Sequence, residues 1–70
     1  MQSIPRVSLK AARVNANLTQ KEAAKRLGIC LSTLQNYESG TTVPDWNMVK
    51  RIVDVYGLPA DCIFFRSEYA

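Results

Sequence analysis

The stretch LTQKEAAKRLGICLSTLQNYESG, residues 18–40, decides the fold of this 70-residue chain. Its first half clusters four charged side chains, at positions 21, 22, 25 and 26, and after Arg26 there is no Lys or Arg before Lys50. A single glycine, Gly28, separates the two halves. Apolar residues recur at helical spacing in both halves, so the stretch predicts two short helices joined by a tight turn. The first helix is charged and the second is almost neutral.

The ends of both helices are marked in the sequence. Thr19 and Glu22 stand three residues apart, which is the spacing of a capping box in which each side chain bonds the other's backbone amide. Gly28 suits the left-handed residue that ends such a helix. The second helix is expected from Leu31 to about Ser39, behind Cys30, which is a poor capping residue.

Three further helices are predicted around this pair. Ser8 can cap a helix over residues 9–16, and Asp45 can cap a helix over Trp46–Tyr56. A short fifth helix is expected from Ala60 to about Phe64. The fourth helix has an apolar stripe that we expect to face inward, formed by Trp46, Val49, Ile52, Val53 and Tyr56.

These elements predict an all-α fold, a compact bundle of five short helices. No segment alternates with period two over enough residues to predict a strand. The expected organisation is a flexible N-terminal arm at 1–7, a single domain at 8–65 and a short tail at 66–70.

Composition narrows the function further. Residues 1–40 carry six basic against two acidic side chains, whereas residues 41–70 carry three against four, and a basic half favours a polyanionic partner. The chain has no His and only two Cys, so no metal, cofactor or catalytic site is predicted and an enzyme is not expected. The two thiols fit a reducing cytoplasm. No signal peptide or membrane span is predicted.

A short helix held at a steep angle to its neighbour can enter the DNA major groove, which is wide enough for an α-helix. The segments LTQKEAAKRLGI, LSTLQNYESG, VPD and IVDVYGLPADCIF follow one another in register with a known pattern. On these segments the chain resembles the phage-repressor and Cro-type helix-turn-helix family, a lambda-repressor-like fold. The resemblance covers about residues 9–64 and includes a small residue at Ala24 and a turn glycine at Gly28.

The resemblance implies a role for individual residues. Gln20 would bond a DNA phosphate and prop the recognition helix, and Arg13 with Glu38 would form a structural ion pair between the first and third helices. Lys21 lies beside Gln20 at a helix N-terminus, which is itself an anion site. The expected DNA contacts are Gln20, Lys21, Leu31, Ser32, Thr33, Gln35, Asn36 and Thr41.

Asn36 is the sharpest of these predictions, because an amide can pair bidentately with adenine. The charged helix would then rest on phosphates and the neutral helix would distinguish bases. The family usually forms dimers through its last helix and tail, which implies an interface at Ile63, Phe64 and Phe65. The expected partner is double-stranded DNA with a palindromic operator, bound by a homodimeric transcriptional repressor.

A second hypothesis is an antitoxin or another protein-interaction module that covers a small protein. The tail CIFFRSEY, residues 62–69, and the absence of charge on the groove-facing side of the third helix motivate it. Proteins of this kind usually bind DNA as well, so the two functions overlap.

Overall fold

The computed structural model describes residues 6–64, and within them the chain forms four α-helices, one 3-10 helix and two very short strands. Strand β1 is Val7–Ser8, and it is followed by α1 (Leu9–Asn15), α2 (Gln20–Leu27), α3 (Leu31–Ser39) and α4 (Trp46–Tyr56). The 3-10 helix Ala60–Cys62 leads into β2, Ile63–Phe64. The prediction of a helical fold with a central helix-turn-helix is therefore confirmed in outline.

Two details of the prediction are wrong. The expected fifth helix is a single 3-10 turn that ends at Cys62, and the next two residues are extended. These residues pair in parallel with β1, with Val7 opposite Ile63 and Ser8 opposite Phe64. Two-residue strands are too short to show alternation in a sequence, so their pairing is visible only in the fold. Val7, assigned to the arm, lies in β1, while residues 1–5 and the predicted tail at 66–70 lie outside the described residues.

Helix α2 has the start and stop signals that the sequence predicts. The amide of Thr19 donates to Glu22 Oε1 at 2.9 Å and the amide of Glu22 donates to Thr19 Oγ1 at 3.1 Å, which completes the capping box. The hydrogen bond from the Thr19 amide holds the pKa of Glu22 below its ordinary value. Gly28 then ends the helix with φ of +74°, a left-handed conformation in which a side chain would be strained.

The core lies between the helices and the strand pair. Its apolar members are Leu9, Ala12, Ala23, Ala24, Leu27, Leu34, Ile52, Tyr56 and Ile63. Leu27, Leu34 and Ile52 are the largest fully buried side chains, and each comes from a different helix. Burying one such side chain contributes about 1.5–3 kcal/mol, so these contacts fix how α2, α3 and α4 sit together.

Trp46 corrects a further expectation. The indole was expected on the inner stripe of α4, but it is 66% exposed. Val49, Ile52 and Tyr56 face the core, and Val53 is only half-buried. The predicted apolar stripe is wider than the surface of α4 that packs against the domain. Trp46, the first residue of the stripe, therefore stays exposed to solvent.

Arg51 makes a contact that the sequence did not suggest. Its Nη1 donates to the carbonyl oxygen of Leu27 at 3.2 Å, which satisfies a backbone group at the C-terminal end of α2. The contact ties α4 to the turn that carries Gly28. Within residues 6–64, no helix has the length and hydrophobicity that crossing a membrane requires.

Tyr56 generates a prediction about stability and pH. Among the described residues its buried hydroxyl has no hydrogen-bond partner, and burial, helped by the charge of Glu38, raises its pKa from 10.0 to about 12. Replacing Tyr56 with Phe removes an unsatisfied buried group, so the variant should match or exceed the wild type at pH 7 by up to about 1 kcal/mol.

The alkaline behaviour of Tyr56→Phe should differ in a defined direction. Because folding raises the pKa of Tyr56, its protonated form stabilises the wild-type fold fully below pH 10.0, and this contribution is lost as the pH rises to about 12. The loss amounts to at most about 3 kcal/mol and should be missing from the Phe variant. Urea unfolding of both proteins at neutral and alkaline pH measures the difference. Equal losses of stability in the two proteins would contradict the assignment.

Candidate nucleic-acid interface

Helix α3 presents one uncharged polar face. Leu34 is fully buried on the opposite side, and its burial turns the polar stripe outward. Leu31 and Thr33 lie at the two edges of the stripe and are half-buried. The exposed members are Ser32, Gln35, Asn36 and Ser39. No Lys or Arg lies on α3, so the stripe offers hydroxyl and amide groups without net charge.

Asn36 is the member of this face best placed to bind a ligand. Its backbone oxygen accepts from the amides of Thr41 and Thr42 at 3.0 and 3.3 Å, which fastens the end of the helix. Its side-chain amide makes no hydrogen bond to any other part of residues 6–64. The backbone is therefore fixed while the exposed amide keeps its full capacity to donate and accept.

Thr41 and Ser39 form a small cluster after the helix. The hydroxyls of Ser39 and Thr41 are 2.8 Å apart, and Ser39 Oγ also donates to the carbonyl of Asn36 at 3.1 Å. Thr41 is exposed, as a phosphate contact would require. Ser39 was not among the predicted contacts, although its spacing of three from Asn36 places it on the same helical face.

A buried ion pair lies behind the polar face. Arg13 Nε donates to Glu38 Oε2 at 2.7 Å, and the two side chains are only 8% and 6% exposed. Arg13 Nη1 also donates to the carbonyl of Leu18 at 2.8 Å. The guanidinium thus joins α1, the turn before α2 and the last turn of α3.

Gln20 extends this pair to the surface. Its Nε2 donates to Glu38 Oε1 at 3.0 Å, and its Oε1 accepts from Gln35 Nε2 at 3.4 Å. An ionised carboxylate can only accept, so Glu38 fixes which end of the Gln20 amide faces inward. The chain of bonds runs from Leu18 through Arg13, Glu38 and Gln20 to the exposed Gln35. It sets the position of the polar face of α3 relative to the start of α2.

Positive charge lies on α2 rather than on α3. Lys21 is exposed in the first turn of α2, where the helix dipole also favours an anion. Lys25 and Arg26 are exposed in the last turn. Cys30, the residue that precedes α3, is exposed, makes no side-chain capping bond and is a free thiol. Helix α2 therefore carries the exposed positive charge, and α3 carries the uncharged hydrogen-bonding groups.

Of the three predicted dimer residues, the structure describes only the side chain of Ile63. Ile63 is only 4% exposed and packs in the core of its own chain, so its side chain offers little surface to a second chain. Its backbone pairs with that of Val7. Phe65 and the side chain of Phe64 lie outside the part of the chain that the structure describes.

Comparison with known proteins now identifies the family. The chain matches the helix-turn-helix domain family over residues 7–62, which is most of its length. The chain belongs to the helix-turn-helix domain family. The resemblance to helix-turn-helix regulators of the phage-repressor type is thereby confirmed.

Three curated proteins are similar to the chain. It is 37% identical over 60 residues to ImmR, an HTH-type transcriptional regulator of Bacillus subtilis (strain 168), covering 86% of this chain and 47% of ImmR. It is 32% identical over 60 residues to the cryptic phage CTXphi transcriptional repressor RstR of Vibrio cholerae, covering 86% of this chain and 54% of RstR.

The third relative is an uncharacterized HTH-type transcriptional regulator of Archaeoglobus fulgidus, 32% identical over 63 residues, with 90% of this chain and 89% of the relative covered. The chain therefore spans about half the length of ImmR and RstR. No solved structure matches the chain.

The ion pair generates a prediction for unfolding. Replacing Glu38 with Leu leaves the Arg13 guanidinium buried without its ion-pair partner. Replacing Arg13 with Met likewise leaves the Glu38 carboxylate buried without its ion-pair partner. Each single change should destabilise the fold by about 3–5 kcal/mol. The double variant, which buries neither charge, should be more stable than either single variant. Urea denaturation of the four proteins gives the coupling energy, and additive effects would show that the two side chains do not act as a pair.

Proposed function

We propose that this protein is a sequence-specific double-stranded DNA-binding transcriptional regulator, a repressor, which places α3 in the major groove. The observation that carries the proposal is the uncharged polar face of α3, held in position by the Arg13–Glu38–Gln20–Gln35 hydrogen bonds. Such a face suits base edges, which are distinguished by hydrogen bonding and methyl contact. RstR, named as a transcriptional repressor, supports the direction of regulation. Binding to DNA would place the activity in the cytoplasm.

Two classes of contact follow from the division of charge. Lys21 and the first turn of α2 would hold phosphates and set the register, without distinguishing one sequence from another. Gln20 would meet a phosphate through the amide proton that Glu38 leaves available, so the phosphate contact and the orientation of α3 would depend on the same side chain. Thr41, which follows α3, would add a contact to the DNA backbone.

The proposed base contacts lie on the exposed stripe. Asn36 would pair with adenine, while Ser32, Thr33 and Gln35 would contact neighbouring base edges. Leu31, half-buried at the edge of the stripe, would meet a thymine methyl. A homodimer would place two such helices about 34 Å apart in successive major grooves, so the operator would be a palindrome.

The alternative, an antitoxin-like module that covers a small protein, loses part of its support. It relied on an exposed tail, but Ile63 in that tail is buried within its own chain. A small partner that co-purifies with the protein from its host would favour this alternative.

Selection of bound fragments from random duplex DNA tests the proposal. The wild-type protein should recover a palindrome, and its affinity for that duplex should fall with salt with a slope of about 0.9 per phosphate neutralised. Lys21→Ala should reduce the slope by about 1 and weaken all sequences alike. A flat salt response, or a selection that enriches no sequence, would refute the proposal.

Asn36→Ala tests base reading directly. Loss of the amide should cost about 1–3 kcal/mol on the selected duplex and relax the preference at one base pair, with the salt slope unchanged. Asn47→Ala is the matched control, because Asn47 is an exposed Asn that lies on α4 rather than on α3. The affinities of both protein variants are compared by titration with the selected duplex and with a duplex in which one base pair is changed. Equal losses in the two variants would remove Asn36 from the contacts.

A further inference from the structure

Arg51 on α4 bonds the backbone at the point where α2 ends. Its Nη1 donates to the carbonyl oxygen of Leu27 at 3.2 Å. Leu27 is the last residue of α2, and the last carbonyls of a helix have no partner inside it. A guanidinium at this end also interacts favourably with the helix dipole. The contact therefore stabilises the end of α2 in the conformation from which the chain enters the turn.

The turn itself is short. Only three residues, 28–30, separate α2 from α3. Gly28 has φ of +74°, and its amide donates to the carbonyl of Lys25 at 3.2 Å. The amide of Ile29 donates to the carbonyl of Ala24 at 3.0 Å. Each residue has only two soft dihedrals, so a turn of this length cannot absorb a rotation at the end of α2 without moving α3.

The helix that carries Arg51 is anchored in the core. Ile52, the next residue, is fully buried, and Val49 and Tyr56 are 8% and 4% exposed. Helix α4 also packs directly on α1 and α2. The side chain of Arg51 therefore connects a fixed helix to the backbone of the turn.

The bond to Leu27 is formed although a carboxylate lies nearby. The cleft between α2 and α4, with a volume of about 340 Å³, is lined by Arg26, Arg51 and Asp54. Asp54 lies three residues after Arg51, a spacing at which ion pairs form on a helix. Within residues 6–64, neither Arg51 nor Asp54 takes part in a salt bridge. The guanidinium bonds the carbonyl instead, so the end of α2 determines its position.

We propose that Arg51 is a positioning residue for base reading, which holds the turn through Leu27 and thereby sets the angle at which α3 enters the major groove. Arg51 itself does not touch DNA in this arrangement. The inference rests on the proposed function, because it concerns how α3 is presented to base edges.

Two sets of bonds then hold α2 at its opposite ends. Arg13, Glu38 and Gln20 join the start of α2 to the end of α3. Arg51 acts at the end of α2, next to the start of α3. A helix held at one end alone is free to pivot about that end, so the second contact is what gives α3 a single orientation.

The Arg51→Met variant tests this role on DNA, because it removes the donor and keeps most of the apolar stem. Its affinity for the selected duplex should fall about tenfold, the effect of losing one hydrogen bond to a charged group. Its affinity for an unrelated duplex should change little, so the ratio of the two affinities should also fall about tenfold. The salt slope should stay unchanged, because no phosphate contact is lost.

Two further variants serve as controls. Arg51→Lys keeps a donor for the carbonyl of Leu27 and should recover part of the affinity ratio. Lys50→Met removes the same charge from the neighbouring position. Lys50 is exposed and makes no hydrogen bond within residues 6–64, so this variant should keep the wild-type ratio.

The affinity ratio separates positioning from other roles of Arg51. Partial unfolding of the variant would lower both affinities by the same factor. A contact from Arg51 to a phosphate would also lower both affinities, and its loss would reduce the salt slope by about 1. An unchanged ratio in Arg51→Met, or a slope reduced by about 1, would overturn the proposal.

Amide hydrogen exchange of the free protein tests the hold on the turn without DNA. In Arg51→Met, the amides of Gly28 and Ile29 should exchange about tenfold faster than in the wild type, because the bonds that close α2 open more readily. The amide of Ala23, which donates to the carbonyl of Thr19 at 2.9 Å, should change less. If all three amides accelerate equally, Arg51 stabilises the whole fold rather than the turn, and the proposal is wrong.

The two measurements also distinguish this inference from the proposed function. A wild-type protein that selects no DNA sequence would overturn the proposed function. A protein that selects a sequence, but keeps its affinity ratio when Arg51 is replaced with Met, would overturn only the positioning role.

Discussion

The Arg13–Glu38 ion pair is the interaction on which the rest of this structure depends. A small domain buries little apolar surface, so the relative position of its helices needs additional constraints. Here one buried guanidinium bonds both the carboxylate on α3 and the carbonyl that precedes α2. Buried charges are expensive to desolvate, and this pair therefore contributes more to the uniqueness of the arrangement than to its stability.

Gln20 connects the buried ion pair to the exposed face of α3. Because Glu38 accepts from the amide of Gln20, and Gln20 accepts from Gln35, an exposed side chain on α3 is linked to the interior by hydrogen bonds. A preorganised face loses less freedom when it binds a ligand. In the proposed function the same glutamine contacts a phosphate, so docking on the DNA backbone and alignment of α3 would be coupled through one side chain.

Local features of this fold could be predicted from the sequence, and non-local ones could not. The capping box of Thr19 and Glu22, the left-handed Gly28 and the bounds of α4 are set by residues within a few positions of each other. The pairing of Val7 with Ile63 joins residues 56 positions apart and has no local signature. Trp46 shows a different limit: periodicity identifies an apolar stripe, but the neighbouring elements decide how much of it they cover.

The candidate interface also has features that the sequence predicts and features that it does not. The outward polar stripe of α3 follows from helical spacing once Leu34 is known to face the core, and the roles of Gln20, Arg13 and Glu38 came from a resemblance rather than from the residues alone. Ser39 and the Arg51 contact with Leu27 were missed, because each depends on geometry after a helix end. The cleft that Arg51 lines could not be predicted, since it exists only where α2 meets α4.

Nuclear magnetic resonance titration of the ¹⁵N-labelled protein with its selected duplex tests the central claim most directly. The claim is that the interior hydrogen bonds hold the polar face of α3 ready for DNA. The side-chain amides of Gln20, Gln35 and Asn36 and the backbone amides at the start of α3 should shift most, and the Arg13 Nε–H, which donates to Glu38, should exchange slowly with solvent in the complex. Shifts confined to α1 or α4, with these amides unchanged, would contradict the account.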